Sequence, residues 1–410
     1  MTAPAESPTI GRATDPTPPS PPAPGGWRSL LARAGWLRAP AFAFLATRLG
    51  IMAVAYVAVS VIPPASTIYH LRGTENRLLD VFGSRWDTGF YVSIAEEGYR
   101  YQGVELPSVA FFPLLPLLMR GLAAIVGDAV VAGILIANLA LLGALIVLYR
   151  LVLEEWGAAV AERSAWYLAV FPASLFGSAI YTESLFLLAA VGALYLARHG
   201  RWLPAGLLGF AAALTRLHGL LVAVLLVGEW WRQRRSAEAG RPSLAALAAA
   251  AAAPLGTVAY MLYCWRAFGS PVAFANAASA WGRVPKPPFA TMAEAVQPPP
   301  GGWLSGLLAG NIHVDNWIDL LMVLGFLALG CALLALNRWG EGLFVVLGVT
   351  LSFASGLLMS QRRYMWVLFP AFVLLGVWGE RPWLDRVLTL VSVLGLALFT
   401  ALFSTGYWVG

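Results

Sequence analysis

The chain has 410 residues, 59% of them hydrophobic and only 12% charged, with a mean hydropathy of +0.72, whereas soluble domains carry about 25% charged residues. That balance excludes a soluble fold, and the formal charge of +6 comes from arginines set singly between apolar runs rather than along one basic face, which excludes a nucleic-acid footprint. Lys286 is the only lysine, and Cys264 and Cys331 both lie in apolar stretches, so they offer neither a disulfide framework nor a thiolate metal site.

Residues 1–27 are rich in Pro, Ala, Ser, Thr and Gly, with Pro18, Pro19, Pro21 and Pro22 among them, and lack the apolar core of a signal peptide. They are expected to form a disordered cytoplasmic tail. Residues 28–410 then make one polytopic membrane domain. The first apolar run, 39–61, matches the roughly 20 residues needed to cross hydrocarbon. Further crossings are expected at 128–150, 164–180, 184–198, 243–265, 316–336, 341–359, 364–379 and 383–406. Two stretches resist a simple assignment. Residues 110–126 carry Pro113 and Pro116 and then Arg120, and 202–231 would be roughly 45 Å long as a single helix.

Positive charge resolves both, because short cytoplasmic loops collect arginine. Arg28, Arg33 and Arg38 place the N-terminal side inside, so the first loop, 63–107, is outside; it holds Arg72, Arg77, Arg85 and Arg100 against Glu75, Asp80, Asp87, Glu96, Glu97 and Glu105. Arg198 and Arg201 at one end of 202–231, and Arg232, Arg234, Arg235 and Arg241 at the other, both call for the inside. A broken pair of short helices with Thr215-Arg216-Leu217-His218-Gly219 at its outer tip satisfies them. Arg150 to Arg163 and Arg338 then fall inside. Tyr181-Thr182-Glu183-Ser184, a second large loop at 266–315 and Ser360-Gln361-Arg362-Arg363-Tyr364 fall outside, and 110–126 dips in without crossing. The expected architecture is an all-α polytopic membrane protein of about eleven crossings. Arg362 and Arg363 break the positive-inside rule, which points to a fixed anionic partner.

The stretch Arg85-Trp86-Asp87-Thr88-Gly89-Phe90-Tyr91 and onward to Glu96, Glu97 and Tyr99 is the most informative. On a helix, Trp86, Asp87, Phe90, Tyr91 and Ile94 share one arc of about 140°. An interfacial helix with an incidental acid accounts for this. So does a carboxylate held among rings on which a sugar could stack, acting as general base toward a hydroxyl.

Arg85-Trp86-Asp87 with Ile94-Ala95-Glu96-Glu97-Gly98-Tyr99 resembles the signature of the PIG-V family, the second-mannose transferases of GPI-anchor synthesis and their prokaryotic relatives. Ala110-Phe111-Phe112-Pro113-Leu114-Leu115-Pro116-Leu117 is similar to that family's Ala-Phe-Phe-Pro-x-x-Pro-Leu segment, and Pro172-Ala173-Ser174 with Tyr181-Thr182-Glu183-Ser184-Leu185-Phe186 to its Pro-Ala-x and Tyr-Ser-Glu-Ser-Leu-Phe segments. With Thr215-Arg216 and Gly219 counted, the resemblance runs from Arg85 to Gly219 and thins beyond. It implies a GT-C bundle whose large first extracytoplasmic loop carries short juxtamembrane helices, and an enzyme that takes mannose from a polyprenyl-phosphate carrier and inverts the anomeric carbon. Asp87 matches the acid of the catalytic centre, as general base or acceptor-orienting group. Arg85, Trp86, Tyr91, Glu97 and Tyr99 of the same motif become substrate-binding candidates.

A lipid-phosphate donor leaves as a single phosphate, so a cationic cradle can hold the developing charge with no metal or other cofactor. Arg362, Arg363, Arg216 and His218 are the candidates for that cradle; snorkelling arginines and a structural polar pair at a helix break are the competing readings. Glu183 is either an acid favoured by a helix N-terminus or a ligand for sugar hydroxyls or the acceptor. Asp128, Asp315 and Asp319 read as helix starts, and His70 and His313 stay unassigned. The proline-rich loop with Trp281 and Trp303 reads as a plain surface loop or a cover for the site. No phosphate-binding Gly-rich loop, His-Glu-x-x-His, Gly-x-Ser-x-Gly or Asp-x-Asp motif occurs. Besides the donor, a lipid or glycan acceptor is the expected partner. The alternatives are a transporter or flippase of a lipid-linked sugar and the same fold with another sugar on the carrier.

Overall fold

The computed structural model describes residues 35–65, 77–236, 242–312 and 314–410. The expected tail at 1–27, His70, His313 and several charges of the topology count (Arg28, Arg33, Arg72, Glu75, Arg241) lie outside these residues. The chain divides into two units, 1–38 and 39–410; of the first, only the 3-10 turn Gly35–Leu37 and Arg38 are described. The second is built from helices, and no sheet occurs among the described residues.

Five helices are long and apolar enough to cross a membrane: Gly35–Val61, Ala129–Trp156, Ala246–Phe268, Val314–Ala335 and Pro382–Ser404. The other expected crossings are shorter or interrupted, so eleven full-length spans are not seen among the described residues. Ala158–Val170 stops before Pro172 and continues as a 3-10 turn, Pro172–Gly177. Trp202–Ala213 and Val222–Arg235 flank a break at 214–221. Trp339–Phe353 ends ahead of the small helices Gln361–Trp366 and Pro370–Trp378. Irregular backbone survives at membrane depth only where protein or a polar cavity supplies its hydrogen bonds.

Small residues let the broken helices approach closely. A Cβ on Gly256 would stand 2.3 Å from the Phe210 carbonyl oxygen, and one on Gly219 would stand 2.2 Å from the carbonyl of Ala212. The first contact seats Trp202–Ala213 against Ala246–Phe268. The second folds the 217–221 turn back under the end of its own helix, which fixes Arg216 between them.

The turn at Pro172–Gly177 is held by an arginine of the first long helix. Arg48, 6% exposed, donates through Nη1 to Ser174 O at 2.8 Å and Ser178 Oγ at 3.1 Å, and through Nη2 to Ser174 Oγ at 3.1 Å. The Pro-Ala-Ser segment is thus a buried capping site, with the proline ending the helix and the serine binding the guanidinium.

Polar side chains gather at both ends of the helix Glu183–Arg198, roughly 22 Å apart at 1.5 Å per residue. At the Arg198 end, Arg198 pairs with Glu155, with Glu341 at 2.9 Å and with Glu229 at 3.4 Å, and Arg338 also pairs with Glu155 and Glu341. Arg232 meets Glu229 at 2.6 Å. Three guanidiniums and three carboxylates balance there. The positive-inside count put Arg198, Arg232, Arg338 and the 150–163 loop on one side, and the structure joins them directly.

Replacing Arg48 with Ala leaves several buried acceptors unpaired, which is expected to remove about 2–4 kcal/mol of stability. Thermal unfolding of the purified protein in detergent checks this; an unchanged midpoint would contradict the capping role.

Candidate active site

Asp87 opens the helix Asp87–Glu97, where the positive end of the backbone dipole favours a carboxylate. The preceding Trp86 has φ 57 and ψ −133, a conformation that an L side chain adopts at a cost of about 1–3 kcal/mol. Trp86 packs at 5.2 Å on Trp408, and its neighbour Arg85 donates to Asp80 Oδ2 at 2.9 Å and to Ser404 O at 2.5 Å. The contacts of residues 85 and 86 therefore force the turn that aims Asp87 inward.

Its partner is Arg363, 276 residues away, whose Nη1 donates to Asp87 Oδ2 at 2.8 Å. Arg363 Nε lies 3.3 Å from Oε1 of Glu183, and Arg216 Nη2 reaches the same oxygen at 2.5 Å and Thr182 Oγ1 at 3.0 Å. Glu183 is completely buried and Arg363 is 7% exposed. Burial alone would lower the Arg363 guanidinium, but Asp87 and Glu183 outweigh it and hold it well above the usual arginine range. The rings of Tyr181, Tyr364, Phe176 and Trp408 surround it at 5.1 to 5.6 Å, adding cation–π attraction in a desolvated setting. Asp87 Oδ1 meets no protein donor among the described residues.

Tyr91, one helical turn beyond Asp87, is buried with its hydroxyl toward Thr182; burial and then the charges of Glu183 and Asp87 push that phenol up. His218 stacks on Tyr364 with centroids 5.4 Å apart and 17° between planes. Burial, with Arg216 beside it, pushes the imidazole down to about 3, so it is neutral and its buried Nε2 has no partner. Arg216 Nε and Nη1 are likewise buried without partners.

Asp87, Trp86, Tyr91, Glu183, Arg216, His218 and Arg363 are thus brought together. Four other candidates do not join them. Arg85 is tied to Asp80 and Ser404. Glu97 makes a surface pair with Arg100. Tyr99 donates to Phe111 O at 2.9 Å and packs on Tyr260 and Tyr263, lining an apolar cavity of about 350 Å³ with Ile94, Leu117 and Leu214. Arg362 points elsewhere because consecutive helical residues diverge by about 100°. It binds Asp319 Oδ1 at 2.8 Å and Asp315 Oδ1 at 3.1 Å, so those two acids have a partner after all. The expected stacking platform is also filled from within: Phe90 lies on Phe111 at 4.7 Å, and Trp281 closes edge-on at 5.5 Å. Among the described residues no group of three His, Cys, Asp or Glu side chains could hold a metal ion.

Sequence reasoning missed Tyr364, Tyr181 and Trp408 as parts of this centre, and Arg283, whose guanidinium lies 5.3 Å from the Tyr364 ring. The only signal for Arg283 was an arginine in a loop expected outside.

The helices and the buried charged centre define a multi-pass membrane protein with a polar site at one end of its bundle. Residues 53–229 match the profile of the family described as mannosyltransferase (PIG-V), which covers the whole span of the resemblance from Arg85 to Gly219. GPI alpha-1,6-mannosyltransferase 2 of Rattus norvegicus is 34% identical over 152 residues, 34% of this chain and 30% of that protein. The Cricetulus griseus protein of the same name is 35% identical over 152 residues, 34% and 29% of the two chains. The matched stretch thus spans less than a third of the length of these relatives. Among solved structures, the archaeal oligosaccharyltransferase AglB of Archaeoglobus fulgidus is similar at 13% identity and a TM-score of 0.38, covering 90% of this chain and 57% of that one.

The His218 shift has a testable sign. The unfolded imidazole, near 6.5, binds its proton more readily than the folded one, near 3. The stability this confers is full above about pH 6.5 and is lost as pH falls toward 3, by up to about 1.4 kcal/mol per pH unit. His218→Gln is expected to flatten the decline of thermal stability below pH 6.5; identical pH slopes for the two proteins would contradict the assignment.

Proposed function

We propose that the chain is an inverting glycosyltransferase that moves mannose from a polyprenyl-phosphate carrier to an acceptor hydroxyl at the extracytoplasmic face of the membrane. The observation that carries this reading is the position of Asp87: inside the stretch that matches the mannosyltransferase family, held by Arg363 through Oδ2, with Oδ1 open. The roles follow from charge. Oδ1 accepts the proton of the acceptor hydroxyl, whose oxygen bonds to the anomeric carbon from the face opposite the phosphate. The bond from that carbon to the phosphate oxygen breaks, and its electron pair leaves on the phosphate.

Arg216, with two unpartnered N–H-bearing nitrogens, is placed to hold the charge that develops there, in a desolvated setting where such a donor counts most. Neutral His218, whose ring bonds the Gly348 backbone, leaves Nε2 as an acceptor that adds no charge. Glu183 keeps Arg216 and Arg363 extended toward the centre instead of toward lipid. Tyr99 and the apolar cavity beside Leu214, two residues from Arg216, suit the isoprenoid chain of the carrier. Arg85 and Arg362 act at one remove, by fixing the backbone that carries Asp87 and Arg363.

A general base contributes about 100-fold to 10,000-fold in rate. Asp87→Asn should lower mannose transfer from prenyl-phosphate-mannose to membrane-lipid acceptors by at least about 100-fold while the protein stays monodisperse. Product is read by mass spectrometry from proteoliposomes. Full transfer by Asp87→Asn would contradict the role. Movement of the lipid between leaflets with no new glycosidic product from the unmodified protein would favour a flippase.

A further inference from the structure

The arginines around Tyr364 outnumber the acids that serve them. Arg283 lies 5.3 Å from the Tyr364 ring, Arg363 5.5 Å and Arg216 5.8 Å, whereas among the described residues only Asp87 and Glu183 pair with this group. Arg363 is taken up by both of those acids. Arg216 spends one nitrogen on Glu183 and leaves two without partners. Arg283 has no carboxylate among the described residues; it donates to Ser355 Oγ at 3.0 Å and Met359 O at 3.3 Å. Like charges gathered around one ring repel unless an anion joins them.

We infer that Arg283, Arg216 and Tyr364 form a binding site for the phosphate ester of a lipid, with Arg283 supplied by the second large loop. This rests on the reading of the chain as a lipid-phosphate-dependent transferase and adds two residues to it. Two guanidiniums present planar forks to phosphate oxygens, and the phenol adds a donor that neither acid occupies. Burial would raise the Tyr364 phenol, yet Arg283, Arg363 and Arg216 outweigh it and hold it below its usual value; a bound anion would relieve that same positive field.

The loop is seated on the turn that leads to Arg363. Lys286 N donates to Ala354 O at 3.3 Å. Gly356, at φ +75, lies so close that a Cβ would stand 1.9 Å from Val284 O. Gly356 therefore permits the approach that brings Arg283 to Tyr364, and a methyl group there should lift the loop away.

The test uses the full-length protein in detergent and compares binding of farnesyl phosphate, farnesol and phosphatidylinositol. The first carries the donor-side phosphate, the second lacks phosphate, and the third carries a phosphate on an acceptor-like headgroup. Arg283→Ala should weaken binding of a phosphate ligand about tenfold or more, leave farnesol binding unchanged and leave the thermal midpoint unchanged. Gly356→Ala should reproduce the loss, and Arg283→Lys should restore part of it. A loss confined to farnesyl phosphate assigns the site to the donor, and one confined to phosphatidylinositol assigns it to the acceptor; both support a lipid-phosphate site. Equal affinities of Arg283→Ala and the unmodified protein for both phosphate lipids, or a parallel loss for farnesol, would overturn it. Because binding is read without turnover, absence of transferase activity would overturn the proposed function and leave this result standing.

Discussion

The structure depends on one guanidinium shared by two carboxylates that the chain brings in from far apart. Arg363 bonds Asp87 across 276 residues and approaches Glu183, which is completely buried. Removing charges from water is strongly unfavourable unless they are paired with good geometry. Hence the helix starts at Asp87 and Glu183, the break at Arg216 and the small helix Gln361–Trp366 have to come together. Two of the three non-glycine residues with positive φ among those described, Trp86 and Ser360, stand just ahead of Asp87 and Arg363. Strain of this kind persists where surrounding contacts over-determine a functional arrangement: Arg85 and Trp408 do so on one side, and Asp319 with Arg362 on the other.

The two ends of the bundle differ in how their charge is balanced. At the Arg198 end, three arginines and three glutamates pair with one another and join the helices that carry Glu155, Glu229 and Glu341. Around Tyr364, among the described residues, Arg216, Arg283 and Arg363 stand against Asp87 and Glu183, and Arg216 Nε, Arg216 Nη1 and His218 Nε2 are buried without partners. The first joins helices to one another; the second is where the proposed anion binds. Asp87–Glu97 and Glu183–Arg198 begin on the acid that each supplies to the centre, Trp202–Ala213 ends just ahead of Arg216, and Gln361–Trp366 carries Arg363 in its first turn.

Much of the site was legible because a charged residue in an apolar chain is conspicuous. Asp87, Glu183, Arg216 and Arg363 stand out in sequence, and positive-inside counting already grouped them on one side and Arg198, Arg232 and Arg338 on the other. Roles set by partners were not legible. Arg362 and Arg363 are neighbours of one type, and only helical rotation separates a structural clamp to Asp319 from the central ion pair. Glu97 and Tyr99 share a motif with Asp87, yet the first pairs locally with Arg100 and the second bonds the Phe111 carbonyl. The aromatic arc of Phe90 and Tyr91 is legible as a helix face, but what covers it, Phe111 and Trp281, comes from elsewhere in the chain. Arg48 read as part of a plain span, since nothing local reveals that Ser174 and Ser178 await it. The expected spans 164–180 and 364–379 are interrupted where Pro172 and Pro370 mark the breaks.

The central claim is that the ion centre of Asp87, Glu183, Arg216 and Arg363 is where a lipid-borne sugar meets its acceptor. Photo-crosslinking tests it most directly, with a prenyl-phosphate-mannose that carries a photoreactive group on the sugar and the attachment sites mapped by mass spectrometry. The account predicts adducts on peptides containing Asp87 to Tyr91, Thr182 to Glu183 or Tyr364. Adducts confined to the Glu155, Arg198 and Arg338 end of the bundle would contradict it.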